Sequence, residues 1–214
     1  MTRRARIALY LVPLAVFALL PVLVQGAILA PFGWPVASVL PDYVFLLSAS
    51  AFVAALSYSI LSLPLLAFAR TRKLIGALPV IAVMTLIGTV LGFVSENAYR
   101  TYAFRRLSVR SKPLIAAVQQ FVAERGVPPP DLSSLVPGYL AAVPRTGMGA
   151  YPEYRLVSDE GVQKDTGNRW ILMVDTPSGA INWDVFVYYP NQRYPETGFD
   201  GVLERIGDWA YVHE

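Results

Sequence analysis

The chain has 214 residues, 55% of them hydrophobic and only 15% charged, a balance that excludes both a single water-soluble globule and a disordered polypeptide. Its formal charge of +3 divides into +4 over residues 1–96 (six basic, two acidic), +5 over 97–112 (five basic, none acidic) and −6 over 113–214 (seven basic, thirteen acidic). An acidic soluble part has no broad footprint for nucleic acid, and the absence of cysteine removes disulfides, thiol catalysis and thiolate metal sites.

Residues 7–41, 43–69 and 74–95 contain no Asp, Glu, Lys, Arg or His. About 20 apolar residues in a helix cross a hydrocarbon core about 30 Å thick, so three transmembrane helices are predicted, at about 7–29, 43–69 and 74–95. Pro13 and Pro21 are expected to kink the first. Residues 30–42 read as a connector, because Pro31, Gly33, Pro35 and Pro41 resist helix, and Trp34 suits a membrane interface. The first segment also reads as a signal peptide with Val24-Gln25-Gly26 at its cleavage site, although its apolar run is long for one.

Arg3, Arg4 and Arg6 precede the first segment, and Arg70, Arg72 and Lys73 join the second to the third, whereas residues 26–42 have no Lys or Arg. The positive-inside rule assigns both basic clusters to the cytoplasm, and three crossings then carry residues 97–214 outside it. Arg100, Arg105, Arg106, Arg110 and Lys112 pull the other way; the agreement of the two clusters and the parity of three crossings outweigh them. The expected location is a bacterial-type inner membrane, multi-pass. Ser48, Ser50, Ser57, Ser59, Ser62, Thr85 and Thr89 are the polar residues of segments two and three and read as small residues that allow close helix packing. No ionisable residue lies in a core, which argues against a transporter or pump acting alone.

From Glu96 to Arg125 the sequence reads as a helix continuous with the third segment. Leu107, Leu114, Val118, Phe121 and Val122 recur at helical spacing, Pro113 is expected to kink or restart it with Ser111 as a cap, and Gly126 with Pro128 closes it. The residues that follow, Gly126, Pro128, Pro129, Leu132, Leu135, Pro137, Tyr139, Leu140, Pro144, Gly149 and Tyr154, come in an order that resembles the globular domain of type II secretion pseudopilins and related type IV pilin-like proteins. The resemblance covers about 45 residues, 114–158. It implies a long helix packed on an antiparallel sheet. The chain departs from that family at the processing motif: Glu96 lies four residues after Gly92 rather than five, and charged sequence follows it. The family's calcium loop has no match here.

Four strands are predicted, at 154–158, 169–176, 182–189 and 204–213, separated by Asp159-Glu-Gly, Asp165-Thr-Gly-Asn, Pro177-Ser-Gly and the stretch 190–201. The expected fold is thus a membrane α-helical region, residues 1–96, followed by a pilin-like α+β domain, residues 97–214, with one helix on an antiparallel meander of about four strands.

No catalytic, cofactor or metal site is expected. His213 is the only histidine and reads as a frayed terminal residue, so no triad or histidine cluster can be placed. Asp175 and Asp184 flank a hairpin and read as solvent-facing acids rather than a catalytic pair. Aromatics are concentrated in the last strands, where core filling competes with an exposed face that docks a protein partner; the candidates for that face are Trp183, Tyr188, Trp209 and Tyr211. Arg100, Arg105, Arg106, Arg110 and Lys112 are candidate contacts to lipid headgroups. The functional expectation is a membrane-anchored, non-enzymatic protein that presents its domain for protein binding or assembly, near a secretion or pilus-like system. The alternative is an accessory subunit of a membrane enzyme or transporter, held by its helices.

Overall fold

A computed structural model of the chain describes residues 3–64, 76–179, 182–195 and 202–213. They form two compact units, Met1–Gly26 with Val39–Tyr99, and Ala27–Ser38 with Arg100–Glu214.

In the first unit the uncharged runs become helices: α1 (Arg3–Leu29), α2 (Leu40–Leu61) and the first part of α3 (Leu78–Arg110). All three are long and apolar enough to cross a membrane. α1 continues through Pro13 and Pro21, and α2 starts with Pro41 in its first turn, where the missing N–H would have had no partner anyway. α2 ends at Leu61, earlier than its apolar run suggested. The basic turn at Arg70, Arg72 and Lys73 lies outside the described residues.

Gly88 and Gly92, one helical turn apart, bring α3 against α1. A Cβ at Gly88 would sit 2.6 Å from the Leu14 carbonyl oxygen, and one at Gly92 would sit 2.5 Å from that of Phe17. Such approach is the usual means of helix association in lipid, where burial of apolar surface supplies no driving force. Further along the same helices Gln25 Nε2 donates to Glu96 Oε1 at 2.7 Å. Ser48, Ser59 and Thr89 return their hydroxyl protons to the carbonyl four residues earlier, which satisfies them within their own helices. Of the seven small polar residues expected to pack between helices, Ser48, Ser59 and Thr85 are buried, Ser62 and Thr89 half-buried, and Ser50 and Ser57 exposed.

In the second unit α3 runs on to Arg110, and a new helix, α4 (Lys112–Arg125), restarts at Ser111 with Pro113 in its first turn. Ser111 occupies the cap position without capping. Its hydroxyl donates to Ser108 O and accepts the Trp209 indole N–H at 3.1 Å, so tertiary packing has claimed it. Gly126 ends α4, and a 3-10 turn, Leu132–Leu135, follows with Asp131 as its cap. A short helix, α5 (Glu160–Thr166), stands where two turns were expected, started by the Asp159 carboxylate accepting from Val162 N.

Among the described residues the sheet has five strands, not four: β1 (Arg155–Val157), β2 (Ile171–Asp175), β3 (Val185–Tyr188), β4 (Val202–Ile206) and β5 (Trp209–His213). The expected last strand, 204–213, is in fact the end of β4, a turn and the whole of β5, a hairpin folded at Gly207, whose φ of 65° suits the reversal. The order is β1-β2-β3-β5-β4, all antiparallel, so it is not a meander: β5 inserts between β3 and β4.

Strand alternation gives the sheet two apolar faces. Leu172, Val174, Phe186, Tyr188, Trp209 and Tyr211 share the first, where Phe104 of α3 stacks on Phe186 at 4.6 Å and meets Tyr211 at 5.0 Å. Leu107, Leu114 and Val118 are fully buried. Phe121, expected to face the sheet, is only half-buried and packs on Tyr139 at 5.4 Å. The second face gathers Ile171, Val187, Ala210 and Val212 with Val162 of α5 and Tyr194. His213 does not fray: it pairs with Val202 and stacks on Tyr211 at 5.0 Å.

Candidate functional site: the connector and the β2–β3 turn

The connector between α1 and α2 cannot continue either helix, because Pro31, Gly33 and Pro35 interrupt it. It forms a turn, with Trp34 N donating to Ala27 O at 2.9 Å, and then a 3-10 turn, Pro35–Val39. Its backbone is bound into the second unit at three points. Gly149 N donates to Ala30 O at 2.8 Å, Ala150 N to Ile28 O at 3.1 Å, and Gly179 N to Ser38 O at 2.6 Å.

The first two bonds come from a loop, residues 146–152, held from inside the unit. Thr146 Oγ1 donates to Tyr151 O at 2.5 Å and accepts from Met148 N, while Arg110 donates to Thr146 O at 2.6 Å. Gly33 and Gly149 meet backbone to backbone: a Cβ on Gly149 would lie 2.1 Å from Gly33 N. The third bond comes from the β2–β3 turn. Thr176 N donates to Asp184 O at 2.8 Å and closes that turn, and Tyr151 Oη donates to Pro177 O at 2.5 Å and ties it to the loop.

A cleft of ≈ 560 Å³ opens beside the turn, lined by Arg155, Asp175, Pro177, Asn182 and Trp183 among others. Arg155 and Asp175 form an ion pair at 2.9 Å, with both side chains more than half exposed. A second cleft, of ≈ 330 Å³, shares Asp175 and Pro177 with the first and reaches Pro35 and Ser38 of the connector. One continuous surface thus runs from the connector to Trp183. Large apolar side chains are exposed on both segments: Phe32 (78% exposed), Trp34 (70%) and Val36 (80%) on the connector, and Trp183 (78%) at the turn.

The expected aromatic docking face is not a surface. Tyr188, Trp209 and Tyr211 are buried in the first face of the sheet, because α3 and α4 cover it, and Trp183 alone of the four is exposed. Asp175 and Asp184 do not pair. They lie on opposite faces of the sheet, Asp175 bound to Arg155 and Asp184 buried and accepting from Tyr211 Oη at 2.6 Å. Burial raises the Tyr211 phenol well above the usual tyrosine range, and the Asp184 carboxylate adds to that while Arg100 opposes it.

The five basic residues divide. Arg100 lies over the Tyr211 ring at 4.9 Å and Arg110 binds the Thr146 loop, so both serve the domain. Arg105, Arg106 and Lys112 are exposed, with Arg106 donating to Tyr102 Oη at 3.0 Å. Among the described residues no group of His, Cys, Asp or Glu is arranged to hold a metal. The connector's role in this site is absent from the sequence reading; only Trp34 carried a signal, and that signal pointed to lipid.

No family model, curated protein or solved structure matches the chain.

Proposed function

We propose that this chain is a multi-pass protein of a bacterial-type inner membrane that presents its α+β domain outside the cytoplasm as a binding or assembly element for another protein, in the manner of pilin-like domains. The observation that supports the orientation is the binding of the connector into the domain through Gly149, Ala150 and Gly179. A connector without Lys or Arg belongs on the non-cytoplasmic side by the positive-inside rule, and a domain built around that connector shares its side. The five basic residues after the third segment weigh less, since Arg100 and Arg110 are engaged by the domain itself. The pilin-like reading rests on the residue order from Gly126 to Tyr154 and on a helix packed against an antiparallel sheet. It is a likeness of presentation and not of polymerisation, because the third apolar segment is tethered at its start.

Site-specific photo-crosslinking of the full chain in cells tests the reading. Crosslinkers at Gln163 or Lys164, exposed on α5, are expected to capture a discrete protein that crosslinkers at Leu47 or Leu56, exposed on α2, do not. Capture of a discrete protein from the α2 positions alone overturns it in favour of an accessory subunit held by its helices.

A further inference from the structure

We propose that the β2–β3 turn is a second membrane-interface anchor, with Trp183 seated beside Trp34 and Phe32 at the boundary between lipid headgroups and acyl chains. The inference rests on the reading of α1 and α2 as membrane-crossing helices and adds a lipid contact for the domain to it. The connector spans only residues 30–39 between those helices, so it must lie at the level where they leave the hydrocarbon. Its three exposed apolar side chains, Phe32, Trp34 and Val36, suit that level, since aromatic rings with a polar edge collect at membrane interfaces.

The β2–β3 turn is bound to this connector. Gly179 N donates to Ser38 O, and the two clefts share Asp175 and Pro177, which makes the surface from Pro35 to Trp183 continuous. Trp183 is therefore held on a surface continuous with Pro35 and Ser38, the sequence neighbours of the connector's exposed apolar side chains, and it is 78% exposed while Asp184 next to it is buried. The charges nearby do not oppose this. Arg155 and Asp175 neutralise each other at 2.9 Å, and the other charged residue lining the cleft around Trp183 among the described residues, Asp184, is buried and accepts from Tyr211 Oη; Glu153 lines the second cleft. A tryptophan displayed to water in this position gains nothing; at a lipid interface its ring is buried and its indole N–H meets the headgroups.

The chain contains no cysteine, so single nitroxide labels can be placed without altering other residues. Trp34→Cys, Trp183→Cys, Asn182→Cys and Gln163→Cys are to be labelled in the full chain, reconstituted in vesicles of phosphatidylethanolamine and phosphatidylglycerol. Depth is read from collision with oxygen against collision with a water-soluble nickel chelate. Positions 34 and 183 are expected within about 5–10 Å below the phosphates, 182 close to that level, and 163 in water. If 34 is at depth while 182 and 183 collide freely with the nickel chelate, the anchor is overturned and the membrane reading stands. If 182 and 183 are shielded from both agents, protein and not lipid covers the turn, and the anchor is again overturned. If 34 is also in water, the membrane reading of the connector fails, and the anchor with it. As a second readout that keeps the native ring, lipids brominated on the acyl chain should quench the fluorescence of the unlabelled chain, and Trp183→Phe should lose part of that quenching. Equal quenching in the two overturns the proposal.

Discussion

Phe104 is the residue on which the helix-to-sheet packing turns. It is 1% exposed and touches both Phe186 and Tyr211, so Phe104→Ala removes a ring from the centre of the first face and should cost roughly 3–5 kcal/mol. Phe121 is half-buried at the end of α4, and Phe121→Ala should cost only about 1 kcal/mol. Thermal melts of the full chain in detergent compare the two, and equal losses would refute the division. The tyrosines set the alkaline limit. Burial raises Tyr151, Tyr154, Tyr188, Tyr189, Tyr194 and Tyr211 above their ordinary value, with Tyr154 and Tyr189 pushed to about 12. A phenol whose folded value is raised holds its proton longer in the folded state than in the unfolded one. Above pH about 10 the unfolded chain therefore binds fewer protons, and stability falls as pH rises from there. The part of the tyrosinate absorbance that belongs to these six of the twelve tyrosines should rise together with loss of near-ultraviolet circular dichroism. Ionisation of these six before unfolding would contradict their burial.

The pairing of α1 with α3 depends on two missing side chains. Gly92→Ala adds a methyl 2.5 Å from the Phe17 carbonyl oxygen, where backbone cannot yield cheaply. The ordinary helix gain of alanine over glycine, about 0.5–1 kcal/mol, should be exceeded by an overpacking cost of about 1–3 kcal/mol. Gly26→Ala is the control, since nothing lies within 4 Å of its added methyl, and it should be neutral or stabilising. Melting temperatures of both variants in one detergent check the difference. A Gly92→Ala protein as stable as Gly26→Ala would show that α1 and α3 stand further apart. Among the strands, the Gly207 hairpin explains why a run that reads as one strand makes two, and why Ile206 and Trp209 end up paired across it.

For the whole molecule the orientation decides the functional account. A reporter active only outside the cytoplasm, fused after Glu214, should be active, and one inserted at Thr71 should be silent. The reverse pattern would send the domain to the cytoplasm and with it every extracytoplasmic partner. The connector matters here too: the second unit comprises Ala27–Ser38 as well as Arg100–Glu214, so residues 97–214 expressed alone lack part of it. Gly149 and Ala150 would then lose their backbone acceptors, which makes the full chain the proper object for binding studies.

The three apolar helices were legible in the sequence because a membrane-length uncharged run has one physical solution, and the restart at Ser111 and Pro113 followed from proline's missing N–H. Buried positions on the helix, Leu107, Leu114 and Val118, followed from a period that local geometry imposes. What the sequence left open was settled by contacts between residues far apart in it. Alternation sorts Trp209 and Tyr211 to one face, yet only the covering helix decides that this face is interior. Ser111 could cap a helix by its own chemistry, but an indole 98 residues away takes its hydroxyl. The connector looked like a passive link, and backbone bonds from residues 149, 150 and 179 make it part of the domain. Such bonds leave no trace in local pattern, because any backbone N–H can donate to any carbonyl that the fold brings within reach.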